Sequence, residues 1–563
     1  MGQFSSNEKG TKVDETKPSK WVPVLNQPVY TPRKIRVVCV GAGFSGLIIA
    51  HKYKYELQMD DYIDLTIYEK NEDVGGTWFE NRYPGIACDV PAHIYTFPFE
   101  PNPDYSCFYA GGQEIWEYVK RTTAKYHLDE HVQFNSRVIS TIWDDQSGSW
   151  KVKVQRQDGV IIEDTADVLV NGSGILNKWR WPDIKGLHSF QGKLLHSATW
   201  DPSLDWTGKR VAIIGNGSSA IQILPKMQPN AGSIVTYIRT PTWISANFAS
   251  QFAAKDGKNF FYTEEQKKRL RENPDELIKL RHDIEAGFNE FFYTLLRDSP
   301  QQAASWDSYQ RQMKERLGDN PELHEKLIPK WKVGCRRLTP GGGYLEALRE
   351  PNVAIDNSGI QEITPTGIIS NSRKDDFDII VCATGFDVSF SPFWEVIGKD
   401  GVSLAEQWKE DPEAYFGICA PNMPNYFIIN GPNCPVGHGS LISVMDWAAA
   451  WILRWCRKIA TEDIKSVQVR QDATEEYNIY TQEFMKRTVW TSGCRSWYKN
   501  NKIDGKVTGV YAGSILHYKE ILESFRAEDF LFEYRNKNRF QFMGNGLAIR
   551  ETVGGDLAYY LQK

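Results

Sequence analysis

Strand-like apolar runs alternate with a helical pattern near the start of the chain. Residues 35–40 form a β-branched run, residues 41–46 are rich in glycine, and a helical apolar pattern continues over residues 47–50. A second strand-like run, residues 65–69, ends in an acidic side chain. This order predicts a parallel strand–helix–strand unit. A similar order returns at residues 210–240 and predicts a second unit of the same kind.

The pattern changes over residues 255–330, which are charged and carry helix-start signals. The run at 263–266 fits a capping box, and Pro274 and Pro321 each follow an asparagine that can cap a helix. We therefore predict a helical insertion over residues 250–332. Core packing is the favoured interpretation of its apolar face, and a substrate pocket is the alternative. That face carries Ile284, Phe288, Phe291, Phe292 and Leu295.

Further segments complete the predicted architecture. Alternating runs within residues 113–174 predict a small antiparallel sheet, and residues 377–381 predict a buried strand that returns to the first unit. The predicted fold class is α/β, with two Rossmann-like dinucleotide-binding domains, the first interrupted by the second. The predicted bounds are a mobile N-terminal tail at 1–34, a discontinuous first domain at 35–184 and 375–563, and a second domain at 185–374 that includes the insertion.

The first glycine-rich turn fits the dinucleotide-binding pattern G-x-G-x-x-G. Gly41 permits the tight turn, Gly43 lets the backbone approach a pyrophosphate, and Gly46 allows close packing of helix on strand. The helix that follows offers free N–H groups to the phosphates. Glu69, at the end of the second strand, is expected to bind a ribose hydroxyl. The alternative is a purely structural glycine turn.

The second glycine-rich turn, residues 215–220, is the G-x-G-x-x-A variant. Its second strand ends in Arg239 rather than in an acid. A cation at that place pairs with a 2′-phosphate, so the pattern favours NADPH over NADH. A solvated surface arginine is the alternative. The chain is therefore predicted to bind two nucleotides of different kinds.

Two other clusters carry candidate chemistry. Residues 75–78 and Asp89 indicate backbone and a carboxylate close to a ligand, although a loop with a Pro-Gly turn gives the same pattern. Arg336 and Arg337 precede the glycine-rich run at 339–344. Because arginine is permanently charged and offers five donors, this pair indicates an anion nearby. Surface charge is the alternative.

Composition narrows the function classes. The 563 residues are 41% hydrophobic and 24% charged, with a formal net charge of −5, and no basic block favours nucleic acid as a partner. The nine cysteines are an odd number. Without a C-x-x-C pair among them, we predict a reducing compartment, no disulfide framework and no metal site.

Targeting signals are few. No run reaches the roughly 18 apolar residues of a membrane span and the N-terminus is polar, so a cytoplasmic location is expected. The first six residues fit the M-G-x-x-x-[ST] pattern for myristoylation of Gly2, and a single such chain would give only weak membrane contact. Nothing in the pattern indicates an oligomeric state.

The most specific stretch lies between the two glycine-rich turns. It reads F-x-G-x-x-x-H-x-x-x-W-[P/D], with the defined positions filled by Phe190, Gly192, His196, Trp200 and Asp201. Residues 75–89 fit the looser pattern [A/G]-G-x-W-x(4)-[F/Y]-P-[G/M]-x(3)-D. With both glycine turns, the chain resembles the type I (class B) flavin-dependent Baeyer–Villiger monooxygenases over roughly residues 35–500. The runs at 339–346 and 437–440 are similar to those of fungal members.

The resemblance implies FAD in the first domain and NADPH in the second. It implies that Arg239, Thr240 and Arg336 hold the 2′-phosphate, with Arg336 in place of a lysine common in the family. His196 is implied in coupling domain movement, and a packing role is its alternative. The cofactor-binding positions expected from the patterns and the resemblance are Gly41, Gly43, Phe44, Ser45, Gly46, Glu69, Gly76, Thr77, Trp78, Asp89, Tyr95, Gly215, Gly217, Ser218, Ser219, Arg239, Thr240, Arg336, Thr384, Gly385 and Trp497.

The reaction implied by the resemblance inserts one atom of O2 next to a ketone carbonyl, through a 4a-peroxyflavin and a tetrahedral adduct, to give an ester or lactone. The peroxide must stay deprotonated, which requires a fixed cation beside it. Arg337 matches the family's catalytic arginine, and Asp89 matches the carboxylate that orients it. Trp497 resembles a tryptophan that contacts cofactor and substrate. The substrate would be a small-molecule ketone whose ring type the motifs do not define.

Two other functions remain open from the sequence. A flavin N- or S-oxygenating monooxygenase shares both nucleotide sites, but it typically lacks the Trp200-Asp201 ending and the arginine at 337. A catalytically idle protein that binds flavin and NADP is the second alternative.

Overall fold

A computed structural model describes residues 17–245, 247–254 and 258–561. Its strands, in chain order, are β1 (Ile35–Val40), β2 (Ile63–Tyr68), β3 (Val132–Gln133), β4 (Ser136–Asp144), β5 (Ser149–Arg156), β6 (Ile161–Ala166), β7 (Val168–Asn171), β8 (Lys193–His196), β9 (Arg210–Ile214), β10 (Ser233–Tyr237), β11 (Ile244–Ser245), β12 (Thr339–Pro340), β13 (Val353–Asp356), β14 (Ile360–Ile363), β15 (Gly367–Ser370), β16 (Lys374–Asp376), β17 (Ile379–Cys382), β18 (Glu395–Ile397), β19 (Tyr426–Ile428), β20 (Ile464–Val469) and β21 (Phe530–Tyr534).

The α-helices of the described residues lie between and around these strands. In chain order they are α1 (Phe44–His51), α2 (Thr77–Glu80), α3 (Gly112–Lys125), α4 (Ser218–Met227), α5 (Glu264–Glu272), α6 (Pro274–Asn289), α7 (Pro300–Leu317), α8 (Pro321–Leu327), α9 (Tyr344–Ala347), α10 (Leu404–Gln407), α11 (Leu441–Thr461), α12 (Gln471–Met485), α13 (Ile515–Glu523) and α14 (Ile549–Thr552).

The first large sheet is parallel throughout, in the order β19-β7-β1-β2-β3. α1 connects β1 to β2, which confirms the first predicted strand–helix–strand unit. Every residue of β1 except Arg36 is buried, as expected for a parallel strand covered on both faces. α1 packs against α11, and their apolar side chains form the main core of this domain. The carboxyl ends of β1 and β7 meet beside the first glycine turn.

The second large sheet is also parallel, in the order β13-β10-β9-β17-β8. α4 connects β9 to β10 and confirms the second unit. The prediction that residues 377–381 return the chain to the first domain is wrong, because β17 lies between β9 and β8. The domain bound expected at residue 375 therefore falls too early. The chain rejoins the first domain later, where β18 pairs with β4 and β19 with β7.

Two smaller predictions agree with the structure. β4, β5 and β6 form an antiparallel sheet, and the segment predicted as a helical insertion contains α5 to α8. The capping box is present, since Thr263 and Gln266 each accept the other's backbone N–H with a side-chain oxygen. The residues of the predicted apolar face have different surroundings within α6 and after it. Ile284 and Phe288 are core residues, as favoured above, whereas Phe291 reaches a pocket.

The described part of the N-terminal tail lies against the C-terminal segment. Val29 N donates to Leu547 O at 2.8 Å, and the rings of Tyr30 and Phe542 stack with centroids 5.3 Å apart. Asn538 and Gln541 donate to the carbonyl oxygens of Lys20 and Pro23, so the described part of the tail that was expected to be mobile is docked over residues 20–30. Gly2 and its myristoylation pattern lie outside the described residues.

One disulfide joins Cys335 to Cys494, which corrects the prediction that the cysteines form none. The two residues are 159 positions apart, so their spacing carries no signal of pairing. The other seven cysteines are free and buried. Within the described ranges, no helix is long and apolar enough to cross a membrane, and no group of His, Cys, Asp and Glu side chains could hold a metal ion.

Candidate active site

The first glycine turn lies where β1, β7 and α1 meet. Gly41 has a φ of +106°, and a Cβ there would come within 2.9 Å of the carbonyl oxygen of Gly172, just after β7. A Cβ at Gly46 would lie 2.1 Å from the carbonyl oxygen of Gly41, so turn and helix fit only without side chains. α1 begins after Gly43 with no side-chain cap and no acid in its first turn. Its N–H groups and dipole are therefore open to an anion.

Glu69 holds this turn from the neighbouring strand. Its carboxylate accepts Ala42 N at 2.8 Å and Asn71 N at 2.9 Å. Burial raises the pKa of Glu69, and the two N–H groups oppose that shift. Each carboxylate oxygen keeps a second lone pair, so a ribose hydroxyl could still donate to it.

An aromatic cluster lies beside the first turn. Trp78 Nε1 donates to the Tyr95 hydroxyl at 3.2 Å, and the Tyr95 ring packs edge-on against both Phe44 and Trp78 at 5.5 Å. A Cβ at Gly43 would lie 3.6 Å from the Cα of Gly76. The structure thus brings the predicted segment 75–78 against the first glycine turn. Ser45 is buried within α1, and Thr77 begins α2.

The second glycine turn repeats the arrangement on the second sheet. Gly215 has a φ of +113°, and a Cβ there would lie 2.4 Å from the carbonyl oxygen of Ala383, just after β17. At Gly217, by contrast, a Cβ would meet no protein atom within 4 Å. α4 begins at Ser218 without a side-chain cap or an acid in its first turn. Ser218 Oγ lies 3.1 Å from Thr339 Oγ1, and Ser219 lies beside Tyr83.

Two cations converge near this second turn. Asn216 Nδ2 donates to the carbonyl oxygen of Thr240 at 2.9 Å, which fixes the segment that follows Arg239. Arg336 donates to the carbonyl oxygen of Pro241 at 3.4 Å. Burial, and then the neighbouring charge of Arg239, lower the pKa of Arg336. Two adjacent guanidinium groups repel each other, so an anion between them would be stabilised.

Arg337 forms an ion pair with Asp89 across the domain boundary. The Arg337 Nη2 atom lies 2.5 Å from Asp89 Oδ2. The Asp89 charge raises the pKa of Arg337, which therefore stays cationic at any working pH. The Asp89 side chain is 17% exposed and that of Arg337 is 38% exposed. The guanidinium thus has an open side in addition to the side that pairs with Asp89.

Arg337 and Arg336 line a narrow pocket of about 20 Å3 whose other neighbours are mostly apolar side chains. The second domain and its insertion supply Phe248, Phe291 and Leu295, and the C-terminal part of the chain supplies Trp490 and Tyr498. Burial raises the pKa of Tyr498 to about 12, so its hydroxyl stays protonated. The pocket therefore combines aromatic and aliphatic neighbours with two cations, Arg336 and Arg337.

Tyr498, Trp490 and Phe248 were not among the candidate site residues predicted from the sequence. Trp497, the expected contact with cofactor and substrate, packs edge-on against Tyr498 at 4.5 Å and is not a lining residue of this pocket. These aromatic residues lie in loops or short 3₁₀ turns, where no periodic pattern marks them. Proximity to Trp497 was the one signal that could have indicated Tyr498.

His196 lies at the junction between the 190–201 stretch and residues 383–386. Its Nδ1 accepts Ala198 N at 3.2 Å, so the proton is on Nε2, which lies 3.3 Å from Thr384 Oγ1. The ring is fully buried and stacks on Trp179 at 4.6 Å. Burial lowers the pKa of His196 to about 4, so the ring is neutral near pH 7. These contacts fit the packing role directly, and they also tie this stretch to Thr384.

The other residues of this stretch have structural surroundings. Phe190 and Trp200 are buried in cores of the second domain, and a Cβ at Gly192 would lie 2.7 Å from the carbonyl oxygen of Asp378. Asp201 pairs at the surface with Lys193 at 2.6 Å. Gly385, with a φ of +86°, follows Thr384 at a place where a Cβ would meet nothing within 4 Å.

The residues present fit two dinucleotides of different charge. Each glycine turn leads into an uncapped helix N-terminus, and the space at Gly217 is the room that a pyrophosphate needs. Arg239 and Arg336 lie near the second turn only, which suits a nucleotide with an extra phosphate. A narrow pocket is lined by a fixed cation, Arg337. Together these features define an oxidoreductase with two dinucleotide-binding domains.

Comparisons with known proteins give the family. The flavin-binding monooxygenase-like family matches residues 34–257. The chain is 47% identical over 553 residues to the FAD-binding monooxygenase tazF of Aspergillus terreus, covering 97% of this chain and 98% of that one. It is 33% identical over 498 residues to a Baeyer-Villiger monooxygenase of Pseudomonas aeruginosa, covering 88% and 91%. The chain therefore belongs to the flavin-dependent monooxygenases of the Baeyer–Villiger type.

Solved structures agree with this assignment. Cyclohexanone monooxygenase from Rhodococcus sp. Phi1 bound to NADP+ has a TM-score of 0.76 at 25% identity, covering 90% of this chain and all of that one. A structure of OTEMO in complex with FAD and NADP has a TM-score of 0.77 at 25% identity, with 89% and 100% covered. The predicted fold class and the family resemblance are both confirmed.

Proposed function

We propose that this enzyme uses FAD and NADPH to insert one atom of O2 next to the carbonyl of a small-molecule ketone, giving an ester or lactone. The observation that supports this reaction is the Arg337–Asp89 pair beside a narrow pocket with aromatic neighbours. The pocket, about 20 Å3, has room for a water molecule only, so a ketone would require Phe291 and Tyr498 to move apart before its carbonyl could meet the open side of Arg337.

The first domain holds FAD and the second holds NADPH. Gly41 makes the tight turn, the start of α1 after Gly43 would hold the FAD pyrophosphate, and Glu69 would receive a ribose hydroxyl. Phe44, Trp78 and Tyr95 form the wall beside this site. For NADPH, Gly217 and the first turn of α4 hold the pyrophosphate, and Arg239, Thr240 and Arg336 hold the 2′-phosphate.

The protein's contribution to the chemistry is charge and orientation. When bound and reduced, the flavin would supply the chemistry that activates O2. Arg337 places a permanent positive charge where negative charge develops on oxygen, and a preorganised donor of this kind is worth about 3–4 kcal/mol. Asp89 fixes the guanidinium in one orientation, and Tyr498 and Trp490 line the pocket beside it.

The test is product analysis under heavy-isotope O2. Purified enzyme and NADPH would receive an aliphatic, a cyclic and an aryl ketone together with a thioether, and mass spectrometry would count labelled oxygen atoms. One labelled oxygen in an ester or lactone is the expected result. A labelled sulfoxide as the sole product would indicate a heteroatom oxygenase instead. Protein that binds no flavin, or is yellow and inert with NADPH, would indicate an idle binding protein.

A cytoplasmic location is part of the proposal. Seven buried free cysteines fit a reducing compartment. Fractionation of producing cells would contradict this location if the enzyme sedimented with membranes, and a Gly2→Ala variant would show whether myristoylation is responsible.

A further inference from the structure

The single disulfide of the described residues lies beside the candidate catalytic group. Cys335 directly precedes Arg336 and Arg337, and Cys494 precedes Trp497 and Tyr498 by three and four residues. Both cysteines are buried, with 0% and 1% of their surface exposed. The bond therefore joins the arginine segment to the segment that supplies the aromatic wall of the pocket.

These two segments have little regular structure of their own. Residues 328–338 contain no helix or strand, and residues 486–514 contain two short 3₁₀ turns, at 489–491 and 497–499, and isolated β-bridges at Thr488 and between Ser496 and Lys502. A strand ladder or a long helix therefore does not fix Arg337 relative to Tyr498. The disulfide does so directly, because it keeps the Cα atoms of Cys335 and Cys494 6.3 Å apart.

Weaker contacts support each segment separately. The Gln302 side chain bonds both the N–H and the carbonyl oxygen of Val333, at 3.2 and 2.9 Å. Lys499 Nζ donates to the carbonyl oxygens of Ser492 and Ile503, at 2.8 and 2.6 Å. These bonds fix each loop to its own surroundings, whereas the disulfide crosses from one loop to the other.

We propose that the Cys335–Cys494 disulfide is a positioning element that holds Arg337 against the Tyr498 wall, and that its reduction loosens the site reversibly. The proposal rests on the proposed function, since Arg337 is the group positioned. Disulfides in proteins of reducing compartments are usually transient or redox-sensing, and this one lies among seven free cysteines. A displacement of about 1 Å at a catalytic group can lower a rate by about 100-fold.

The chemistry of the switch is a thiol–disulfide exchange. A dithiol reductant gives up two electrons and two protons, the S–S bond breaks, and Cys335 and Cys494 become thiols while the reductant becomes a disulfide. Oxidised glutathione reverses the step and leaves as two molecules of reduced glutathione. Cys335 Sγ lies 3.1 Å from the carbonyl oxygen of Ser492, a residue on the wall of a cavity of about 580 Å3.

The first measurement is a thiol count on denatured enzyme. Enzyme purified without reductant should show seven free thiols, and reduced enzyme should show nine. The second measurement is the amount of oxygenated product formed per NADPH consumed. We expect this ratio to fall roughly tenfold on treatment with dithiothreitol. Oxidised glutathione should restore it.

The matched variants are Cys335→Ser/Cys494→Ser and the control Cys107→Ser. The double variant should show the low ratio with or without reductant, while it retains bound FAD and its flavin absorbance. Cys107 is also buried, and its thiol donates to the carbonyl oxygen of Tyr109, a bond that serine can replace. The control should respond to dithiothreitol as the wild type does.

Several results would overturn the proposal. Nine free thiols in enzyme purified without reductant would show that the pair does not form. An unchanged product ratio in the double variant, or in reduced wild type should the variant not fold, would show that the bond does not position Arg337. Wild type that makes no oxygenated product from any ketone would instead refute the proposed function, while the thiol count would still report on the bond.

Discussion

Arg336 and Arg337 are neighbours in the chain, but their guanidinium groups have different partners. Arg337 pairs with Asp89 from the first domain, whereas Arg336 lies beside Arg239 and the second glycine turn. Under the proposed function, the turn of the backbone between them would present one charge to the reaction site and the other to the 2′-phosphate. Replacing each in turn should therefore change different kinetic constants.

Arg337→Met removes the cation from the pocket while preserving much of the side-chain volume. We expect kcat for ketone oxygenation to fall at least about 100-fold, because one preorganised donor contributes about that much. Arg337→Lys keeps the charge without the forked donors, so its kcat should lie between that of the wild type and that of the methionine variant. Product formation under saturating NADPH measures this effect. A kcat within a few-fold of wild type in the methionine variant would remove Arg337 from the mechanism.

Arg239→Met and Arg336→Met should each raise KM for NADPH about tenfold. A charge-assisted hydrogen bond contributes about 1.5–3 kcal/mol, and 1.4 kcal/mol corresponds to a factor of ten. NADH lacks the 2′-phosphate, so its KM serves as the internal control and should not change. Steady-state kinetics with both nucleotides checks this. Equal losses with NADH would mean that the arginines support the fold and do not bind the phosphate.

At the scale of elements, each glycine turn depends on the neighbouring strand. The carbonyl oxygen of Gly172 after β7 closes on Gly41, and that of Ala383 after β17 closes on Gly215. A parallel sheet brings these strand ends together, so each glycine turn packs against the end of a strand that neighbours it in the sheet. A single methyl group, added as the Cβ of an alanine in either turn, would therefore clash with the neighbouring strand end and disturb the candidate nucleotide site.

Gly215→Ala should destabilise the second domain by at least about 2 kcal/mol. The new Cβ would lie 2.4 Å from the carbonyl oxygen of Ala383, and the residue has a φ of +113°. Gly208→Ala is the matched control, because Gly208 also has a positive φ, +69°, but a Cβ there would meet nothing within 4 Å. Thermal unfolding should show a clearly larger loss for the Gly215 variant. Equal losses would mean that backbone strain alone matters.

Elements with a local signal could be predicted, and those fixed by distant contacts could not. The β1–α1–β2 unit has a β-branched run, a glycine turn and a helical pattern in direct succession. β17 was assigned to the wrong sheet because a fully buried strand has no polar face to indicate its neighbours. Within the candidate site, Arg337 and Asp89 could be named from the family resemblance, and the structure pairs them. Tyr498 and the Cys335–Cys494 pair could not, since loops that meet across 159 residues share no pattern.

At the scale of the whole molecule, the insertion connects the two domains beside the pocket. Arg281 Nε on α6 donates to the carbonyl oxygen of His93 at 3.0 Å, and Glu285 accepts Ser440 N at 3.3 Å, at the start of α11. The Tyr109 hydroxyl donates to the carbonyl oxygen of Phe248 at 2.7 Å, next to the pocket wall. Movement of the insertion would therefore change the pocket as well as the domain contact.

Glu285 makes this contact dependent on pH. Burial raises the pKa of Glu285 from its ordinary 4.5 to about 7, while the Ser440 N–H and the charge of Arg281 oppose the shift. A carboxyl group whose pKa is raised by folding stabilises the folded state while it is protonated. That contribution is complete below about pH 4.5 and is lost as the pH rises through 7.

Glu285→Gln should therefore flatten the dependence of Tm on pH. The uncharged amide mimics the protonated carboxyl group, so the variant should be more stable than wild type at pH 8, by on the order of 2 kcal/mol, and similar to it at pH 5.5. Glu290→Gln, at an exposed position shortly after α6, is the control and should follow the wild type. Thermal melts of the three proteins at both pH values decide the matter. If Glu285→Gln lost as much Tm as the wild type between pH 5.5 and pH 8, another group would control the contact, because the amide cannot ionise in that range.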